Sequence, residues 1–262
     1  MARIDDEPAL VLHTRPYRES SVLVDLLTVH HGRVAALLKG GRRRVQIFST
    51  FHACWYGGRE LVTLVNPGDL RTHWLTGDAA NAGLYVNELL MRLVREREPV
   101  PDLFAVACWM LSEFENGAAL RPPLRGFEKL LLQTLGYALS YSHELDSGAV
   151  IDPHQWYRLV DVDGFVADSP ERYLPRAVDG RQHSDYVRDG YVETTAQLLL
   201  RGDVIHAIAQ EQFQRPPVNA AARRLFRRCL RPLLGDRPLK SRELLQAAAA
   251  RPGINAGSGG QL

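Results

Sequence analysis

The chain has 262 residues, 45% hydrophobic and 24% charged, with a formal net charge of +2, which is ordinary globular composition for one large domain or two to three small ones. Its three cysteines, Cys54, Cys108 and Cys229, lie far apart and form no CxxC pair and no even disulfide set, so the expected compartment is a reducing cytoplasm. No apolar run approaches the roughly 20 residues that a membrane helix needs.

The small net charge hides an asymmetry. Residues 1–80 carry 10 Lys+Arg against 8 Asp+Glu, and residues 201–262 carry 11 against 4. Between them, residues 81–150 carry 6 against 9 and residues 151–200 carry 5 against 9. A chain basic at both ends and acidic in the middle suits an anionic ligand that touches both ends, if the fold brings them together. The first residues, Met-Ala-Arg-Ile-Asp-Asp-Glu, are acidic and lack the apolar stretch of a signal peptide.

Residues 1 to 78 read as β structure. Ala9–Thr14, Ser21–Val29 and Arg33–Lys39 are strand-like runs separated by turn signals, with a turn at His31-Gly32. Phe51–Tyr56, a Gly57-Gly58 turn and Leu61–Val65 form a hairpin, and Leu70–Leu75 is a candidate sixth strand. Five or six short strands in about 75 residues fit a small barrel such as an OB-fold better than a two-sheet sandwich. From Ala79 the period becomes helical. Val86, Leu89, Leu90, Leu93 and Val94 stripe one helix, which Pro99 and Pro101 end. A second runs from Leu103 to Phe114. A third carries Phe127, Leu130, Leu131 and Leu135 and stops at Gly136, after punctuation at Pro122-Pro123. These stripes read as core.

Residues 140–193 are an insertion of short hairpins or irregular structure, marked by turns at Asp161-Val-Asp-Gly, Ser169-Pro170 and Asp179-Gly180. Thr195–Ile208 reads as one helix. Pro216-Pro217 separates it from the next, Ala220–Leu234, which Asn219 caps and Gly235 ends. Ser241 caps a last helix from Arg242 to about Ala250, and the Gly- and Ser-rich stretch from 253 onward reads as disordered. The expected architecture is therefore α+β. A small β-barrel (1–78) precedes a mainly helical domain (79–262) with an insertion at about 140–193.

Two features carry chemistry. After the third strand, Lys39-Gly40-Gly41-Arg42-Arg43-Arg44 forms a glycine-rich basic connection, and from Gly32 to Arg44, which includes Arg33, there is no acid. Glycines allow close backbone approach, and the cations want an anion; a small barrel presenting such a loop is a common holder of single-stranded nucleic acid. The alternative is a solvated charge run on a hairpin loop. Tyr17, Trp55 and Tyr56 are candidate stacking platforms or core residues. In the last long helix Arg223, Arg227 and Arg231 recur at i, i+4 and i+8, with Arg224 and Arg228 beside them, and Arg237, Lys240 and Arg242 follow. Like charges at this spacing destabilise an isolated helix, so the array points to an anion or to salt bridges with the acidic middle of the same chain.

No enzyme motif is present: no P-loop, GxSxG, HExxH or Rossmann glycine fingerprint. His30-His31 reads as a surface pair. The cluster His143, Glu144, Asp146, Asp152 and His154 lacks the spacing of a metal site, and Asp161, Asp163 and Asp168 read as turn residues. A metal-dependent nuclease built on these acids is one competing function; a protein–protein adaptor with basic ends is another.

Three segments together resemble the RecO family of bacterial recombination mediators. They are Arg15-Pro-Tyr-Arg-Glu-Ser-Ser-Val-Leu-Val with Lys39-Gly40, then Tyr85-Val-Asn-Glu-Leu with Leu124-Arg125-Gly-Phe127-Glu128 to Leu135-Gly136-Tyr137, and finally Leu234-Gly235 to Pro238-Leu-Lys-Ser-Arg-Glu-Leu244. The resemblance covers nearly the whole chain and is weakest between about 143 and 195. It implies an N-terminal OB-fold, a helical domain and no covalent chemistry. It also implies binding to single- and double-stranded DNA, annealing of complementary strands, and work with RecR that lets RecA replace single-strand-binding protein. The expected DNA contacts are Arg15, Arg33, Lys39, Arg42, Arg43, Arg44, Arg223, Arg224, Arg227, Arg228, Arg231, Lys240 and Arg242. The family also binds the C-terminal tail of single-strand-binding protein through its helical domain. Arg125 matches the family segment there; Phe127 and Leu131 supply an apolar stripe, and Arg121 and Lys129 lie close in sequence. Where the zinc-bearing branch has cysteine pairs, this chain has Ser142, His143, Ser147 and Gly148, so no zinc or other cofactor is expected.

Overall fold

The computed structural model describes residues 3–40, 45–58, 60–65, 68–173 and 189–242. The chain divides into two compact units, one of Met1–Leu120 with Asp236–Leu262 and one of Arg121–Gly235.

The first unit is built on six strands: β1 (Arg3–Tyr17), β2 (Ser21–Thr28), β3 (Gly32–Leu38), β4 (Ser49–Gly57), β5 (Val62–Leu64) and β6 (Gly68–Thr72). Their order is β1-β2-β3-β5-β4, and β4 pairs back onto β1 through Ala9↔Phe51, so five strands close a barrel. Only β3 and β5 run parallel within it; β6 adds antiparallel to the start of β4. This is the expected OB-type barrel. The inward residues alternate along the strands: Val22, Val24 and Leu26 on β2, Val34, Ala36 and Leu38 on β3, Phe51, Ala53 and Trp55 on β4. The long β1 serves two neighbours, with register shifts near Ile4/Glu7 and Val11/His13. Gly32 opens β3 at φ +62°, where a Cβ would lie 2.2 Å from the Glu98 carbonyl oxygen, so a side chain has no room there. The expected strand at 70–75 starts earlier and ends at Thr72, because His73 turns inward to 3% exposure.

Helices α1 (Gly77–Leu93) and α2 (Pro101–Glu115) complete this unit. Pro101 begins α2 at a position whose missing N–H costs no helical bond. Asn87 of α1 is 3% exposed and its Nδ2 donates to the Leu12 carbonyl at 2.9 Å, satisfying β1 beside its irregularity.

The second unit contains α3 (Arg121–Thr134), β7 (Trp156–Val160), β8 (Gly164–Ala167), β9 (Tyr191–Glu193), β10 (Leu198–Arg201), α4 (Gly202–Ala209) and α5 (Pro216–Leu234). The four strands form one antiparallel sheet in the order β8-β7-β10-β9. α3 packs on α5, burying Leu124, Phe127 and Leu131 with Leu225, Phe226 and Leu230.

Two expectations fail here. Thr195–Ile208 is not one helix: Leu198, Leu199 and Leu200 form the strand β10, each 0% exposed, and the helix begins only at Gly202. A strand flanked by β7 and β9 and covered on both faces reads as an unbroken apolar run, which periodicity cannot separate from a buried helix. Gly202 stands at the switch and has no room for a side chain, because a Cβ there would meet the Asp152 carbonyl oxygen. Second, both proline pairs lie inside helical first turns rather than between helices, at Pro122-Pro123 and Pro216-Pro217. α5 therefore begins before Asn219, whose Nδ2 donates to the Phe213 carbonyl at 3.0 Å instead of capping. The expected helix beyond Arg242 and the stretch from 253 lie outside the described residues.

Candidate nucleic-acid interface

On the barrel, Lys39 and Gly40 stand exposed in the turn after β3, with Gly40 at φ +68°. Arg42, Arg43 and Arg44 lie outside the described residues. Arg15 is exposed on β1 opposite Leu23, at the edge of a shallow depression lined by Asp25, Ala35 and Leu61. Arg33 is committed inward. Its side chain is 14% exposed, with Nη2 3.3 Å from Glu96 Oε1 and Nη1 3.5 Å from the Met91 sulfur.

The cations near the C-terminus fall in different units: the arginines of α5 lie in the second, whereas Lys240 and Arg242 belong with the barrel. The segment that carries Lys240 and Arg242 is sewn to α1: Glu88 accepts from the Lys240 N–H at 2.9 Å and from Ser241 through its N–H at 2.9 Å and its hydroxyl at 2.7 Å. Arg92 donates to the carbonyls of Arg237 at 2.8 Å and Pro238 at 3.2 Å. Burial opposes the charge on Glu88, but the Ser241 and Lys240 donors and Arg92 outweigh it and hold its carboxyl below the usual value. Lys240 remains exposed, and Arg242 lies over the Tyr85 ring at 5.7 Å.

The α5 arginines divide by face. Arg224 Nε is 3.1 Å from Glu193 Oε2, and its guanidinium sits 4.4 Å from the Tyr191 ring centroid. Arg228 is 3.8 Å from Glu193 and donates to the carbonyls of Thr194, Ala196 and Gln197 at 2.7, 3.0 and 3.2 Å. These two tie α5 to the β9–β10 hairpin, the salt-bridge role within the acidic middle. Arg223 is half-buried, and Arg227 and Arg231 are exposed.

The candidate tail residues lie on α3. Arg125 and Glu128 form an ion pair at 3.2 Å with side chains 5% and 3% exposed, and Phe127 and Leu131 are 0% exposed. Lys129 Nζ donates to the Ala209 carbonyl at 2.7 Å and to Glu211 at 2.9 Å, and lies 5.7 Å from the Tyr141 ring. Arg121 stands exposed at the start of the helix.

Three of the acids of 143–168 are tied into local hydrogen bonds and ion pairs. Glu144 accepts from the Ser147 hydroxyl at 2.6 Å and the Ala167 N–H at 2.8 Å, and these bonds lower its carboxyl pKa. Asp152 accepts the His154 N–H at 2.8 Å. Asp168 gathers Arg158 at 2.9 Å, Arg172 at 3.1 Å and the Tyr173 hydroxyl at 2.8 Å. Among the described residues no group of three or more His, Cys, Asp or Glu is placed to hold a metal ion, and no helix is long and apolar enough to cross a membrane.

Of the three aromatic candidates, Trp55 is core at 3% exposure, while Tyr17 and Tyr56 are 37% and 43% exposed. Sequence reasoning missed Trp74, which is 69% exposed; only the inward turn of His73 beside it distinguishes it from a strand residue.

The match to known families decides the identity. Residues 1–67 match the family described as recombination protein O N terminal, and residues 75–243 match recombination protein O C terminal. The chain belongs to the RecO family. It is 36% identical over 255 residues to the DNA repair protein RecO of Cellvibrio japonicus, covering 92% of this chain and 97% of that protein. The DNA repair protein RecO of Tolumonas auensis is 35% identical, with 96% and 99% covered. That of Alkalilimnicola ehrlichii is 36% identical, with 95% and 94% covered. These are RecO proteins of DNA repair, matched from one end of the chain nearly to the other.

Proposed function

We propose that this RecO-family chain is a non-enzymatic mediator of DNA repair that binds single- and double-stranded DNA and anneals complementary strands coated by single-strand-binding protein. With RecR it then assists the loading of RecA. The observation that carries the reading is the closed barrel with exposed cations at Arg15 and Lys39, in a chain of this family. Annealing needs no bond chemistry. It needs positive charge to offset the repulsion between two phosphate backbones while the bases stay free to pair. Lys39 and the arginines 42–44 hold a strand on the barrel unit, with Lys240 on the same unit. Arg227 and Arg231 supply exposed cations on the other. Arg224 and Arg228, occupied by Glu193 and backbone carbonyls, shape the surface around them.

For the tail of single-strand-binding protein, Arg121 offers an exposed cation at the head of α3, the helix that also carries the paired Arg125, the buried Phe127 and Leu131, and Lys129. A terminal carboxylate seeks such a cation. The test is annealing of complementary oligonucleotides coated with single-strand-binding protein, followed by fluorescence at low and high salt. Accelerated, salt-sensitive duplex formation supports the mediator. No acceleration, with the coat protein still bound, refutes it.

A further inference from the structure

Trp74 is 69% exposed, yet its backbone is held at its own N–H and through both of its neighbours. Its N–H donates to Glu115 Oε1 at 3.0 Å. The preceding His73 is 3% exposed, its N–H donates to the Phe48 carbonyl at 3.1 Å, and its Nδ1 lies 3.0 Å from Glu115 Oε2. The following Leu75 reaches into the packing against α1, where a Cβ on Gly83 would lie 2.9 Å from Leu75 Cδ1. Arg71, its side chain 63% exposed, donates to the same Glu115 carboxylate at 3.4 Å. A single exposed aromatic is common on protein surfaces. The mount fixes the point from which the indole projects, so that binding has only its side-chain rotamers left to order.

Its place on the barrel says what it meets. Thr72 of β6 pairs with Ser49, hydroxyl to hydroxyl at 2.8 Å, and Phe48 accepts the His73 N–H. Phe48 and Ser49 are where the basic connection that leaves β3 at Lys39 re-enters the barrel. The rim therefore holds Phe48 and Ser49 against the stretch that carries Arg71 and the indole; a cation beside a flat aromatic plate is the pair of chemistries that holds single-stranded nucleic acid. Of its neighbours in the chain, Leu75 turns into the packing against α1 and His73 is buried, which leaves the polar Arg71, Thr72 and Thr76 in sequence around the indole. That does not suit an apolar anchor of a protein interface, whose surroundings exclude water, and does suit one base stacked on one ring.

We propose that Trp74, with Arg71 beside it, is a base-stacking platform for single-stranded DNA. The indole takes a nucleobase on its face, and the Arg71 guanidinium, steadied by Glu115, meets the neighbouring phosphate. This rests on the reading that the barrel unit binds single strands.

The test is equilibrium binding of the full chain to labelled oligo-dT across a salt series, repeated with an abasic strand of the same length. Trp74→Ala is expected to weaken oligo-dT binding about 5- to 150-fold at every salt concentration, the range of one lost base stack, with the log–log salt slope unchanged. Trp74→Phe keeps most of the affinity. On the abasic strand, wild type and Trp74→Ala bind alike. Arg71→Ala instead flattens the slope by about 0.7, the share of one phosphate on a single strand. Because the indole lies in water, neither Trp74 variant shifts the melting midpoint. Trp74→Ala binding oligo-dT within two-fold of wild type, or losing as much on the abasic strand, overturns the platform. A wild-type chain that ignores oligo-dT at low salt overturns the single-strand reading and the platform with it.

Discussion

Glu88→Ala tests how the C-terminal segment is held to the barrel unit. The carboxylate accepts three hydrogen bonds, from Lys240 N–H, Ser241 N–H and Ser241 Oγ, at 2.7 to 2.9 Å, and its side chain is 19% exposed. Hydrogen bonds to a charged group contribute about 1.5–3 kcal/mol each in net terms. Three on one carboxylate do not add in full, because removing the charge also relieves its desolvation and frees the segment, so the expected loss is about 2–4 kcal/mol. The sharpest readout is hydrogen exchange at the Lys240 and Ser241 amides, which reports release of the segment even where the rest of the unit stays folded. A loss of that size raises their exchange roughly 30-fold to several hundred-fold. Glu88→Gln keeps one acceptor oxygen and falls between.

The pH dependence has a definite sign. The Glu88 carboxyl is depressed below its ordinary value of 4.5, despite burial that pushes the other way. Its contribution is therefore fully present above about pH 4.5 and is lost as pH falls through the lower, folded-state value. Wild-type protection at Ser241 drops over that acid range, while that of Glu88→Gln stays level. Unchanged exchange in Glu88→Ala at neutral pH would refute the idea that this carboxylate holds the segment.

Two further outcomes follow from the division of the cations. Replacing Arg42, Arg43 and Arg44 together by Ala lowers single-strand affinity and flattens the log–log salt slope by up to about 2, at about 0.7 per phosphate contact, while the chain still folds; equal affinity in a folded triple variant removes the connection from the DNA path. Arg228→Ala removes the guanidinium donors from the Thr194 and Ala196 carbonyls, while the Gln197 carbonyl keeps the Thr194 N–H, and costs about 1–3 kcal/mol in urea unfolding with DNA affinity unchanged, whereas Arg227→Ala with Arg231→Ala lowers the salt slope without a stability cost. The reverse pattern would show that the exposed pair is structural.

The barrel was legible in the sequence because short apolar strand-like runs alternate there with turn signals, and β3 and much of β2 bury one face. Val22, Val24 and Leu26, and Val34, Ala36 and Leu38, are buried while Leu23, Asp25, Ala35 and Leu37 between them are partly exposed, the period of two that any strand imposes whatever its partner is. The stripes of α1 to α3 were readable for the same reason at period 3.6. So was the family, since its motifs sit at fixed points along the chain. Leu198–Leu200 were not, because a strand buried on both faces has no period to read.

The site was less legible than the fold. Arg223 to Arg231 look alike as a run of cations. Only the β9–β10 hairpin, which brings Glu193 and three carbonyls to Arg224 and Arg228, decides which of them serve the fold and leaves Arg227 and Arg231 exposed. Likewise Trp55 and Trp74 are both aromatic residues of the barrel unit, and one is core while the other stands in water. Local sequence determines which residues can be apolar faces, turns and charges. What a given charge or ring meets is set by residues distant in the chain, as Glu88 is by Ser241, and that pairing exists only once the chain has folded.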